Sequence, residues 1–294
     1  MIRIADEVRE ALASGGAVVS LETTLVAHGF PPGEGVKVGL ESERQVREAG
    51  GVPATVGVVD GEICVGLTEE QLARFGPDAR KVGPRDLAAA AVQGAIGATT
   101  VGGTLAVARA AGVRVLATGG IGGVHRGFPD PPDVSADLAQ LARTPALVVS
   151  AGVKSLLDVP ATAEVLESLG IPVLGFRTDT LPLFYAAAGG PPVSARVESA
   201  EETARVAEEH WGLGGAGLLL GRPPNEPLED VDPLLDEALA AAAAAGVSGQ
   251  AVTPYVLAHL HRESGGRTES ANRALVAQSA HLAGEVAAAL ARSS

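Results

Sequence analysis

The chain has 294 residues, 46% of them hydrophobic and 3% aromatic, and its 22 Lys plus Arg stand against 35 Asp plus Glu for a formal net charge of -13. Such a charge repels polyanions over distance, and there is no basic run or interleaved aromatics to seat bases, so nucleic acid is not an expected partner. No apolar run reaches the roughly 18 residues that span a bilayer, and the start Met1-Ile-Arg-Ile-Ala-Asp lacks the basic-then-apolar order of a secretory signal, so no membrane and a cytoplasmic location are expected.

Cys64 is the only cysteine, which rules out an intrachain disulfide or a thiolate metal cluster and leaves it as a small apolar strand residue. No internal repeat or clean boundary divides the chain, so residues 1–294 are read as a single domain. The tract R-P-P-N-E-P-L-E-D-V-D-P (222–233) is the best candidate for a linker.

Residues 3 to 13 place apolar side chains at helical spacing, Gly15-Gly16 breaks them, and Ala17 to Leu21 reads as a short strand that delivers Glu22 at its end. The next stretch, Glu22 to Gly35, is rich in Pro and Gly and is read as an irregular active-site loop leading into a helix from about Val36 to Ala49. Between Ala54 and Gly66 two β-rich runs flank Asp60-Gly61, a favoured two-residue turn, which predicts an antiparallel pair decorating the sheet. Thr68-Glu-Glu-Gln71 fits a capping box that opens a helix.

R-K-V-G-P-R-D-L (80–87) carries Lys81 on a loop or strand end, with Pro84 suited to the first turn of the alanine-rich helix after it. Val113 to Thr118 is a buried strand running into Gly119 to Gly127, where five glycines let backbone approach a ligand and point N–H groups at it, as phosphate requires. The glycine spacing fits neither G-x-G-x-x-G nor a P-loop. Asp133-Val-Ser-Ala-Asp137 has the acidic look of a calcium loop, but Leu138 and Thr144 stand where that loop needs Gly and Glu, so these residues open a helix over about 134 to 143 instead.

Ala146 to Lys154 is a valine-rich run of the kind buried on both faces of a parallel sheet, and ligands of such sheets sit beyond the carboxyl ends of the strands. Lys154 stands at that edge. It is one of three lysines, with Lys37 and Lys81, in a chain that otherwise writes its cations as Arg. Arg stays charged, whereas a lysine can lose its proton when burial and neighbouring cations disfavour the ammonium, and only the neutral amine attacks carbon. The alternative for Lys154 is a solvated lysine at a strand end. Beyond it the pattern alternates helix 160–169, strand 171–176, helix 200–211 and strand 216–220, with Asp232 and Pro233 read as cap and first residue of an alanine-rich helix. The last 40 residues read as two helices joined by the loop E-S-G-G-R-T-E-S-A-N (263–272). The fold expected is a three-layer α/β/α architecture with a central, mainly parallel or mixed sheet, in which Glu22, Lys81, Gly119 to Gly127 and Lys154 converge on one cleft.

The motifs S-L-E-T-T, K-V-G-P-R-D-L, G-A-T-T-V, T-G-G-I-G-G-V-H-R-G, D-V-S-A-D-L, S-A-G-V-K-S-L-L-D and T-P-Y-V-L occur in this order nearly from end to end. In them the chain resembles the pseudouridine-5'-phosphate glycosidases, also called the indigoidine synthase A-like family. That resemblance implies reversible cleavage of the C–C glycosidic bond of pseudouridine 5'-phosphate to uracil and ribose 5-phosphate, a divalent metal, usually Mn²⁺, and a homotrimer of an α/β/α fold. Carried over motif by motif, the family's proton donor falls on Glu22 and its covalent nucleophile on Lys154. Substrate contacts fall on Lys81, Val101, Ser135, Ala136 and Asp137, the metal ligand on Asp133, and further contacts on His125 and Asn272. Pro84 and the proline-rich tract 128–132 depart from the family pattern without touching a carried-over residue. Two rival readings use the same residues: a Schiff-base aldolase acting on another sugar phosphate, and a sugar-phosphate binding protein in which Lys154 is only an electrostatic contact.

Overall fold

The computed structural model describes residues 2–293 apart from 131, 229 and 248, so one position each of the proline tract and of the linker candidate lies outside the described residues. The chain opens with β1 (Ile2–Ile4), α1 (Asp6–Ala13), β2 (Val18–Leu21), α2 (Thr24–His28), α3 (Glu34–Glu48), β3 (Val52–Val59) and β4 (Glu62–Val65). The expected first helix is thus divided: residues 2–4 alternate apolar and polar and pair in parallel with β4, Ile2 opposite Ile63, before helical spacing takes over. The stretch read as an irregular loop contains α2, because its breakers begin only at Gly29 and leave Thr-Leu-Val-Ala-His free to coil; α3 starts two residues earlier than expected. At Asp60 and Gly61 both φ angles are positive, 52° and 82°, as the two-residue hairpin turn requires. Far from decorating the sheet, β3 belongs to its centre: its first half pairs in parallel with β2 and its second half antiparallel with β4.

Next come α4 (Glu69–Leu72), β5 (Arg80–Val82), α5 (Leu87–Val92), β6 (Gly97–Thr99), α6 (Val101–Ala111), β7 (Val115–Ala117), β8 (Val124–His125), α7 (Ala136–Leu141) and β9 (Leu147–Ser150). The capping box at Thr68 and Gln71 forms in both directions. Pro84 lies outside α5, in a turn where the Asp86 carboxylate accepts from the Gly83 N–H at 3.0 Å. Helix α7 is shorter than expected because Ser135 caps it, accepting from the Asp137 N–H at 3.2 Å. Helix α6 and strand β6 escaped the sequence reading, since glycine, alanine and threonine carry little periodic signal.

The chain ends with β10 (Leu157–Asp158), α8 (Val159–Ser168), β11 (Val173–Phe176), β12 (Ala195–Val197), α9 (Ala200–Gly212), β13 (Leu218–Gly221), α10 (Val231–Ala244), a single 3-10 turn at Gly249–Ala251, α11 (Val252–Glu263) and α12 (Arg267–Ser293). Asp232 and Pro233 fall inside the first turn of α10 instead of capping it. The joint between the last two helices is only Ser264 to Gly266, where Gly265 and Gly266 adopt φ of 62° and 85°. Asn272 therefore projects from a helix, not from the loop expected.

Among the described residues the main sheet has eleven strands in the order β1-β4-β3-β2-β7-β9-β13-β11-β12, with β6 on β3 and β5 on β6. Every pair from β3 to β12 along that order is parallel, and the antiparallel pairs are β3 with β4 and β3 with β6. Side chains alternate across it: Val115, Ala117, Leu147, Val149, Leu218 and Leu220 face α3, α9 and α12, while Leu116, Val148 and Leu219 face α6, α7, α8, α10 and α11. Three layers result, as expected. Helix α12 is long and apolar enough to cross a bilayer, but it packs along α3, α9 and the sheet, as the core helix of a layered domain does.

Candidate active site

Parallel register places the reactive groups. Leu21 of β2 lies opposite Ala117 of β7, and Ala117 opposite Val149 of β9, so β2 and β7 end at one level and β9 one residue later, at Ser150. One step on, Glu22 and Thr118 stand side by side, 7% and 2% exposed, and the Thr118 hydroxyl donates a short hydrogen bond to Glu22 Oε1. Thr23 anchors the next residue, donating to the Val56 carbonyl at 2.8 Å and accepting from the Thr99 N–H at 2.9 Å.

Lys154 is four residues beyond β9. The intervening turn runs alongside the glycine loop: the Ala151 N–H donates to Gly119 O at 2.9 Å, Ile121 N–H to Gly152 O at 3.0 Å and Lys154 N–H to Ile121 O at 3.2 Å. Gly152 makes this possible, with φ of 87° and a position where a Cβ would stand 2.0 Å from the Pro182 carbonyl. Lys81 sits within β5, paired opposite Ala98 of β6.

Asp137, 6% exposed, ties two walls together. Its Oδ1 accepts from Gly102 N–H in the first turn of α6 at 2.7 Å and its Oδ2 from Gly122 N–H of the glycine loop at 2.9 Å. Gly122 is packed so closely there that a Cβ would meet Ser135 Oγ at 2.3 Å. The His125 N–H donates to the Asp133 carbonyl at 3.0 Å, and His125 Nδ1 lies 3.8 Å from Asp133 Oδ2.

Glu22, Lys81, His125, Asp133, Ser135, Ala136, Asp137, Lys154 and Asn272 all line one cavity of about 510 Å³, a size that suits a nucleotide-scale ligand. Val101 does not reach its wall: the side chain is buried in the core, and Thr100 before it lines the cavity instead. Thr118, His28, Arg85, Phe184 and Thr253 also line it and were not anticipated. Thr118 followed from the register of β2 and β7, which the sequence does not specify; His28 was visible in the loop after Glu22 but carried no spacing signal.

Burial pushes the Glu22 carboxyl above its usual range, with Asp137 adding to the shift while Lys154, the Thr118 hydroxyl and Lys81 hold it back. The Lys81 ammonium is disfavoured by burial and then by Lys154, against Asp137, Glu22 and Asp133. Burial, Lys81 and Lys154 lower His125, with Asp133 opposing. Burial thus favours the neutral form of both the Glu22 carboxyl and the Lys81 amine in one cavity. Among the described residues no group of three or more His, Cys, Asp or Glu is arranged to hold a metal. Asp133 offers one half-buried hard oxygen donor, which fits a divalent ion that keeps most of its waters.

Residues 7–289 match the family model described as indigoidine synthase A like protein. The chain is 45% identical, over 98% of its length and 97% of the relative's, to a protein of Herpetosiphon aurantiacus named pseudouridine-5'-phosphate glycosidase, and 47% identical, over 99% and 96%, to one of the same name from a Roseiflexus species. Among solved structures it is similar to the prealnumycin C-glycosynthase AlnA in complex with ribulose 5-phosphate, at a TM-score of 0.89 and 41% identity over 100% and 98% of the two chains. It is also similar to an indigoidine synthase A-like protein from Thermotoga maritima, at a TM-score of 0.89 and 36% identity over 99% and 97%.

The raised Glu22 carboxyl has a consequence for folding. Between the ordinary carboxylate pKa of about 4.3 and its higher folded value, the folded state binds more protons than the unfolded one, so stability falls as pH rises through that window. Glu22→Gln removes the slope. The variant should gain on the wild-type protein from pH 4 to pH 8 in urea unfolding; parallel loss of stability by both proteins would contradict the shift.

Proposed function

The chain belongs to the indigoidine synthase A-like family, and from that premise we propose that it is a pseudouridine-5'-phosphate glycosidase, cleaving the C–C glycosidic bond of pseudouridine 5'-phosphate reversibly to uracil and ribose 5-phosphate. The observation that carries this reading is the meeting of a buried, proton-retaining Glu22 with Lys154 in one cavity. The relative bound to ribulose 5-phosphate supports a sugar phosphate as the ligand of this fold.

A carbon leaving group cannot depart as a stable anion, so the paired-carboxylate route of O-glycosidases does not serve and the sugar is opened first. Glu22 gives its proton to the ring oxygen as that oxygen takes the electron pair of the bond to the anomeric carbon, and the Lys154 amine supplies a new pair to the same carbon. After the nitrogen loses a proton and the uracil carbon gains one, the nitrogen pair forms the imine while the C–C pair returns to the uracil ring. Water then adds across the imine, releasing ribose 5-phosphate and the free lysine. The net reaction consumes one water: its hydrogen ends on uracil and its hydroxyl on the sugar.

Lys81, His125 and Ser135 hold the phosphate, because an acidic protein needs local cations and hydrogen-bond donors to bind a dianion. Asp137, Ala136 and Asn272 border the remaining ligand, and Val101 stands behind Thr100 in the core. Asp133 would hold one Mn²⁺ per subunit through a single carboxylate, and the ion would supply positive charge to an anionic ligand. The subunits form a homotrimer, to be seen by light scattering as three times the 29.4 kDa chain mass.

Incubating the protein with ribose 5-phosphate and borohydride should leave one reduced sugar phosphate on Lys154 by peptide mass mapping, and Lys154→Arg should be as inactive as Lys154→Ala, because charge is kept while nucleophilicity is lost. No adduct, together with turnover by the Arg variant, would reduce Lys154 to an electrostatic contact.

Lys81→Ala should raise KM for pseudouridine 5'-phosphate roughly tenfold or more, the loss of one charge-assisted contact. An unchanged KM would remove Lys81 from the phosphate site. For the metal, calorimetric titration with Mn²⁺ should show one weak site that Asp133→Asn abolishes; equal binding by both proteins would place the ion elsewhere.

A further inference from the structure

The hydrogen bond between Thr118 and Glu22 does more than fill a buried donor. We propose that Thr118 is a positioning residue that fixes the acidic proton of Glu22 on Oε2, the oxygen left to face the sugar. The inference deepens the proposed function and rests on it.

Three observations carry it. First, the pair is set by the parallel register of β2 and β7, with Leu21 opposite Ala117, and the Thr118 backbone N–H is itself held by the Val149 carbonyl at 3.0 Å. Second, both side chains are buried, and the Thr118 hydroxyl points its single proton at Glu22 Oε1. Third, Glu22 Oε2 makes no hydrogen bond with any described residue, while the carboxyl lines the cavity.

A neutral carboxylic acid has one oxygen that carries the proton and one that accepts. Because Oε1 is occupied as acceptor by Thr118, the proton resides on Oε2, and the orientation that delivers it to the ring oxygen is the one already populated. When the Oε2–H bond breaks, its electron pair stays on the carboxylate, and the same Thr118 donor then stabilises the anion in a place where water cannot. Without the hydroxyl, the carboxyl can turn over and the buried anion loses its only hydrogen-bond donor among the described residues. The charged and titratable groups that face Glu22 are Lys154 beyond β9, Lys81 of β5 and Asp137 of α7, and none of them changes in a Thr118 variant.

The test compares Thr118→Val, which keeps the shape and removes the hydroxyl, with Thr118→Ser, which keeps the hydroxyl, each checked for folding by thermal unfolding; Thr118→Ala replaces the Val variant should that one fail to fold. Removal of the hydroxyl should lower kcat for pseudouridine 5'-phosphate by roughly 10- to 100-fold with KM nearly unchanged, and the Ser variant should restore most of it. A donor to the ionised form favours ionisation, so its loss raises the Glu22 pKa, and the alkaline limb of the kcat/KM profile should move to higher pH by roughly one unit. Carbon-13 NMR of the labelled Glu22 carboxyl should show the same movement in the free protein. A lowered kcat with an unmoved carboxyl titration overturns the proposal, being the mark of packing damage alone, and so does a Val variant with wild-type kcat and pH limb. Absence of cleavage by the wild-type protein, or full activity of Glu22→Gln, would instead sink the proposed function and the positioning role with it.

Discussion

The parallel alignment of β2, β7 and β9 is the constraint on which the site depends. Ala117 lies opposite both Leu21 and Val149, so the chain leaves β2 and β7 at the same level and β9 one residue later, and whatever follows each strand meets the others at the carboxyl edge. Glu22 and Thr118 follow at once; the β9 chain instead turns through Gly152 before it presents Lys154. A slip of one residue in any of these strands would turn side chains to the opposite face and separate the acid from its hydroxyl partner.

Around that edge, Asp137 converts three separate segments into one wall. A buried carboxylate is costly unless its oxygens are occupied, and both of them are, by amides of the α6 start and of the glycine loop. The glycines at 102 and 122 serve the same end, because a Cβ at either would stand within 3.0 Å of the carboxylate oxygens. The glycine loop is therefore tuned to receive a side chain of its own chain, and its conformation is set before any ligand arrives.

Much of this was legible in the sequence, for identifiable reasons. The run from Leu147 to Ser150 is buried on both faces, so it is apolar throughout, and that signal located the sheet edge and Lys154. Glu22 was visible for the same reason at the end of Val18 to Leu21. What the sequence could not convey was pairing. Helix α6 and strands β5, β6 and β12 are short or built of small residues, and their form is imposed by neighbours. Thr118 looked like the last residue of a strand, and only the register of β7 against β2 makes it a partner of Glu22. The sequence places Asn272 in a loop because Gly265 and Gly266 precede it, yet the turn they make is complete within three residues, and the Thr268 N–H, donating to Ser264 Oγ at 3.1 Å, starts the helix at once.

The electrostatics of the cavity also follow from burial more than from net charge. The chain carries a formal charge of -13, yet the groups around the cavity include Lys81, Lys154, Arg85, His28 and His125. Burial pushes Glu22 toward its neutral form and Lys81 and the two histidines toward theirs, each against or with the charges beside it. The two tendencies are coupled, because Glu22 and Lys81 each favour the charged form of the other. A phosphate dianion entering this space adds negative potential, which favours the proton on Glu22 and returns Lys81 toward its ammonium, so one binding event strengthens the anion contact and keeps the carboxyl protonated. The protonated form of Glu22 that the proposed chemistry needs is thus favoured most when the cavity is filled.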